Sequence, residues 1–108
     1  YGLESVFAAR RRPVVVSLDV RPEVVAFALA MEAKLRANDH KGYWRGCSVA
    51  YLRRRLRTET RELFAALDIV RRVGPTPRRE LNIVHEAADV ANIALMLADV
   101  AGGLTDGE

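Results

Sequence analysis

Residues Ala87–Leu97 read AADVANIALML, a run that is apolar on every side except at Asp89 and Asn92. An eleven-residue run this long exceeds the usual strand and lacks strand alternation, so it predicts a helix packed against neighbours all round. Working outward, Glu86 extends the polar positions to Glu86–Asp89–Asn92, three groups at successive i, i+3 steps on one face. Thr76 and Pro77 supply a cap and a first helical position upstream, and Gly102–Gly103 stop the helix downstream. Before it, Gly74, Pro75 and Pro77 end a second long helix that starts after Ser48, a good N-cap, and runs to about Val73. Each helix of roughly 24 residues is about 36 Å long, and so short a connection makes the two an antiparallel hairpin.

A shorter helix precedes them. Pro22 suits a first turn, Glu23 follows at the positive end of the dipole, and Val24, Val25, Phe27, Ala28, Met31 and Leu35 form its apolar series to about Ala37. Residues Asn38–Gly46 (NDHKGYWRG) are turn-rich and polar, yet hold the chain's only tryptophan. The expected fold is therefore all-α: a helical bundle with a long antiparallel hairpin in one domain, 22–103, preceded by an arm, 1–21, and followed by a tail, 104–108. Within the arm, Pro13–Val20 (PVVVSLDV) is rich in β-branched residues and is read as extended.

The chain has 108 residues, half of them hydrophobic and 29% charged, enough for one core and not two. A domain this short buries well under three quarters of its unfolded surface. A second copy of the hairpin completing a four-helix core, as a homodimer or tetramer, is thus expected. A net charge of +3 suits nucleotides, nucleic acid or other anions without choosing between them. A single cysteine, Cys47, excludes an internal disulfide and fits a reducing, cytoplasmic setting. Every apolar stretch is interrupted well before membrane-spanning length, so no membrane association is expected.

On the second helix, spacings of three and four select Leu52, Leu56, Glu59, Leu63, Ala66 and Val70, which puts Glu59 in the apolar stripe. Glu62 lies one turn further. Two readings are open: the pair converges on a ligand, or it forms ion pairs with Arg53, Arg54, Arg55, Arg57 and Arg61. The same choice arises on the third helix, where Glu86 and Asp89 either hold a metal or join an arginine–carboxylate network between helices. The hairpin brings Glu59/Glu62 to face Glu86/Asp89, and four carboxylates in an apolar groove repel unless hard divalent cations lie between them.

In this pattern the chain resembles the MazG-type all-α nucleoside triphosphate pyrophosphohydrolases, whose signature is EExxE on one helix followed by ExxD on the next. Here the segments are Thr58-Glu59-Thr60-Arg61-Glu62 and Glu86-Ala87-Ala88-Asp89, with Thr58 standing where the family carries its first glutamate. Asn92 and the segment Met31–Trp44 (MEAKLRANDHKGYW) are similar to small MazG-like proteins as well, and the resemblance spans about Val24 to Ala101. It implies Mg²⁺-dependent cleavage of a nucleoside triphosphate into monophosphate and pyrophosphate, with Mn²⁺ as a substitute. Glu59, Glu62, Glu86 and Asp89 are then the metal ligands, and Glu59 or Glu62 the group that takes a proton from water. Lys34, Lys41, Arg45 and members of the Arg53–Arg57 run are candidates to meet phosphates. Trp44, with Tyr43 and His40 nearby, either stacks on a base or plugs the space between the first two helices. Asn92 either bonds the sugar or orients a carboxylate, or it satisfies a buried carbonyl. Cys47 and His85 have no partner visible in sequence. The competing classes are a catalytically inactive interaction protein of the same fold and a nucleic-acid-binding module built on Arg53–Arg57; carboxylates in the apolar stripe disfavour the latter.

Overall fold

The computed structural model describes residues 19–104; the proposed extended segment Pro13–Val20 falls almost entirely outside them. Helix α1 spans Pro22–Ala37, α2 Val49–Val73 and α3 Pro77–Val100, with a single 3-10 turn, Asp39–Lys41, between α1 and α2. The described residues contain no strand.

Local chemistry sets the boundaries. The Ser48 hydroxyl accepts a hydrogen bond from the Tyr51 amide at 3.1 Å, and Thr76 does the same for Arg79 at 3.1 Å. Gly74 closes α2 at φ 91°, a conformation that a side chain disfavours, and its amide donates to Val70 at 2.8 Å. Arg79 donates back to the Gly74 carbonyl at 3.2 Å, tying the start of α3 to the end of α2. At the far end α3 stops at Val100, two residues before the expected glycines, because Gly102 already turns the chain at φ 87°.

Helix α3 is the centre of the structure. It packs against α2 on one side and α1 on the other, whereas α1 and α2 do not pack together. That position explains why Ala87–Leu97 is apolar all round. Ala88 and Ile93 of α3 and Leu52 and Ala66 of α2 are the buried apolar residues of the core, and Ala88 is wholly inaccessible. The predicted stripe of α2 holds: Leu52, Glu59 and Ala66 are buried, and Leu56, Leu63 and Val70 half-buried. Helix α1 has no fully buried residue; it rests on α3 through half-buried Phe27, Ala30, Met31, Lys34 and Leu35, leaving Val24, Val25 and Leu29 exposed. Among the described residues no helix is long and apolar enough to cross a membrane.

Candidate metal centre and cleft

Glu59 and Asn92 are the buried polar residues of the described core. Both line a cleft of about 410 Å³ floored by α2 and α3 and bordered by α1 and the loop that carries Trp44. One oxygen each from Glu59, Glu62 and Glu86 lie within 4.8 Å of one another, Glu59 buried, Glu86 half-buried and Glu62 exposed. The i, i+3 spacing on α2 and the packing of α2 on α3 produce this convergence.

The fourth predicted ligand, Asp89, is turned to another partner. Its Oδ2 lies 3.3 Å from Lys34 Nζ of α1, and both side chains are partly shielded. Lys34, expected to meet phosphate, therefore neutralises a carboxylate on the same cleft. Glu59 is likewise paired: Arg55 Nη2 donates to its Oε2 at 2.8 Å from one turn upstream. The bond to Glu59 is also the main cause that raises the Arg55 guanidinium pKa further, so this cation stays charged. The two sequence readings thus coexist, with ion pairs on Glu59 and Asp89 and a convergent carboxylate cluster beside them.

Glu86 and Glu62 have no cation partner among the described residues. Glu86 Oε1 is buried without a hydrogen-bond partner. Loss of hydration raises the Glu86 pKa above the ordinary carboxylate value of 4.5, and the charges of Glu62, Asp89 and Glu59 add to the rise while Lys34 opposes it. Oxygens around an octahedral Mg²⁺ at about 2.1 Å stand about 3 to 4 Å apart, so carboxylates already within 4.8 Å need only rotamer adjustments to surround such an ion. The all-oxygen donor set and the orphaned Glu86 oxygen both fit a hard divalent cation.

Asn92 Nδ2 donates to the Met31 backbone oxygen at 3.0 Å, a part-buried bond that links α3 to α1 and comes near the reading of a buried carbonyl. Its Oδ1 is buried without a partner. That leaves an acceptor on the cleft, so the two roles foreseen for Asn92 are compatible.

At the other end of the cleft, Trp44 is half-buried and lines the wall with Tyr43 and Met96. The indole Nε1 donates to Asp99 Oδ2 at 2.9 Å across 55 residues of sequence. Tyr43 stacks on the indole with centroids 4.0 Å apart and an interplanar angle of 18°. Lys41 also lines the cleft, exposed. Arg45 lies over the Tyr43 ring and 3.8 Å from Asp99, and Arg54 lies over Tyr51. His40 and His85 are exposed, while Cys47 is half-buried in the cleft wall. Sequence reasoning missed Asp99. Its signal was its register, since positions 89, 92, 96 and 99 share one face of α3.

Compared with protein-family models, with curated proteins and with solved structures, the chain finds no match.

Proposed function

We propose that the chain is a Mg²⁺-dependent nucleoside triphosphate pyrophosphohydrolase of the MazG-like type, releasing nucleoside monophosphate and pyrophosphate. The observation that carries this reading is the convergence of Glu59, Glu62 and Glu86 within 4.8 Å, at a cleft lined by Glu59, Glu62 and Asp89 together with Lys34, Lys41 and Arg55. Acids alone would repel a polyphosphate, and cations alone would bind it without activating water. The cleft offers both.

Glu59, Glu62, Glu86 and Asp89 are the residues that would hold the metal. When bound, the ion neutralises phosphate charge and acidifies a water molecule. Glu62 is the better placed of the two glutamates to take that water's proton, because protonating Glu59 would weaken its bond to Arg55. Lys34, Lys41 and Arg55 bind phosphate oxygens, Trp44 stacks on the base, and Asn92 Oδ1 accepts a hydrogen bond from the sugar.

The pairs Arg55–Glu59 within α2 and Lys34–Asp89 between α1 and α3 favour a second reading, an inactive interaction protein in which the acids serve structural ion pairs. A nucleic-acid-binding role is less well supported, since Arg55 of the basic run is drawn into the cleft. A second copy of the chain would cover Val24, Val25 and Leu29 of α1 with Phe64 of α2, all well exposed.

The test is a panel of ribo- and deoxyribonucleoside triphosphates incubated with Mg²⁺ or Mn²⁺, with products separated by ion-exchange chromatography. Monophosphate and pyrophosphate are expected. Diphosphate and orthophosphate would contradict the cleavage position, and full activity in Asp89→Asn would remove Asp89 from the metal site. No turnover together with no Mg²⁺ binding would leave the interaction-protein reading.

A further inference from the structure

We propose that Asp99 is the positioning residue for base recognition: its carboxylate holds the Trp44 indole in place as the stacking platform of the cleft. This rests on the nucleotide reading above and adds to it a residue outside the acidic motifs.

Asp99 sits where a carboxylate is unwelcome. It lies in the last turn of α3, at the negative end of the helix dipole, and that turn contains no basic residue. Its side chain is only 14% exposed, so solvent does little to offset the cost. What compensates it comes from the loop: the Trp44 Nε1–H at 2.9 Å and, more distantly, the Arg45 guanidinium at 3.8 Å. A group kept at an unfavourable position is best explained by what it holds, and Asp99 holds the aromatic pair.

The loop needs such an anchor. Between Asn38 and Ser48 the chain forms a single 3-10 turn, Asp39–Lys41, and Gly42 adopts φ 100°. Past that turn one backbone bond holds the segment, from the Cys47 amide to the Trp44 carbonyl at 2.9 Å, and it fixes the main chain of Trp44 without orienting its ring. The bond to Asp99 ties the indole to the most packed helix of the structure. It also sets the register, because Asp89 and Asp99 share a face of α3 ten residues apart, about 15 Å along the axis. Acids at one end and a platform at the other match the length scale of a nucleoside triphosphate.

Two consequences define the platform. Tyr43 covers one face of the indole at 4.0 Å, so the base takes the opposite face. Because the indole N–H is already engaged by Asp99, Trp44 offers the base stacking and no hydrogen bond. Affinity should then follow base area, purines above pyrimidines.

Trp44 is the sole tryptophan, so emission excited selectively at the red edge of indole absorption, where tyrosine does not absorb, reports on this ring alone. In EDTA, nucleoside monophosphates should quench it. Asp99→Ala should shift the emission to the red and weaken monophosphate binding about tenfold, with KM rising more than kcat falls, since a charge-assisted hydrogen bond is lost. Asp99→Asn keeps an acceptor oxygen and should recover most of that affinity. Trp44→Phe keeps an aromatic face without the donor; by calorimetry it should weaken binding as Asp99→Ala does, with no further loss in the double variant. Should Asp99→Ala fail to fold, the Trp44→Phe and Asp99→Asn results decide. The acidic site is tested apart from the platform by the thermal shift with Mg²⁺ and inorganic tripolyphosphate, which Asp99→Ala should not alter. Loss of that shift in the wild type, with Asp99-dependent quenching retained, supports the platform while removing the hydrolase. Unquenched emission, or additive losses from Asp99→Ala and Trp44→Phe, would overturn the assignment.

Discussion

Replacing Glu86 by glutamine removes one charge from the carboxylate cluster while keeping the side chain's shape. Two unit charges 4.8 Å apart repel by about 3.5 kcal/mol at an effective dielectric of about 20 and by about 0.9 kcal/mol in water. Arg55, bonded to Glu59 at 2.8 Å, cancels most of the repulsion between Glu59 and Glu86. Glu62–Glu86 is then the uncompensated pair, and the exposure of Glu62 places its energy between the two limits, at about 2 kcal/mol. The amide also avoids burying a charged oxygen at the position of the orphaned Glu86 Oε1. Metal-free Glu86→Gln should therefore be more stable than the wild type by about 1–3 kcal/mol, a rise in Tm of at least about 4 °C for a chain of this length. Mg²⁺ should reverse the order. At a hundredfold its Kd it adds about 2.7 kcal/mol to the wild type and much less to the variant, which lacks one anionic ligand. Thermal denaturation followed by circular dichroism, at low salt in EDTA and then with increasing MgCl₂, measures both. A variant that is destabilised without metal and responds to Mg²⁺ like the wild type would refute both the repulsion and the site.

The raised Glu86 pKa gives a pH dependence of definite sign: the folded state binds this proton more tightly than the unfolded state, so metal-free stability should fall as pH rises from about 4.5 through the raised value. Urea denaturation in EDTA across that range, compared with Glu86→Gln, isolates the contribution; identical slopes would count against it. Arg55→Ala strips the buried Glu59 of its cation and should cost about 2 kcal/mol, below the figure for a fully buried pair because Arg55 is 43% exposed. Mg²⁺ should restore part of that loss, and a neutral effect would show that the pair carries no stability. Light scattering at micromolar concentration should report a dimer or tetramer, whereas a clean monomer would show that the exposed faces of α1 and α2 need no second copy.

Helix boundaries were legible because their determinants are local. Pro22, Ser48, Gly74, Thr76 and Pro77 act within one turn, so reading them needs no knowledge of tertiary structure. The convergence of Glu59, Glu62 and Glu86 was legible for a related reason: i, i+3 spacing fixes each pair, and a three-residue connection leaves little choice of register. The counter-cations were harder. Arg55 is four residues before Glu59, a recognisable spacing, yet four other arginines on α2 compete for the same reading. Lys34 reaches Asp89 only because α1 docks on α3 and not on α2, which no short-range pattern encodes. Trp44–Asp99 spans 55 residues and a loop whose path depends on that same docking.

If the acidic cluster holds metal as proposed, its own balance of charge sets how many ions it takes. Arg55 and Lys34 neutralise Glu59 and Asp89, which leaves Glu62 and Glu86 as a net charge of about −2, matched by a single divalent cation. A second ion would have to compete with Arg55 at 2.8 Å and Lys34 at 3.3 Å for carboxylates already paired. A bound polyphosphate would change that competition, because its oxygens would offer both cations a better-charged partner and so free Glu59 and Asp89 for metal. Calorimetric titration should accordingly find one Mg²⁺ per chain without nucleotide and a second in the presence of inorganic tripolyphosphate. Arg55→Ala should bind the second ion without the polyphosphate. If the wild type takes up two ions in its absence, Arg55 and Lys34 are not the competitors, and the exchange of ion pairs for metal is wrong.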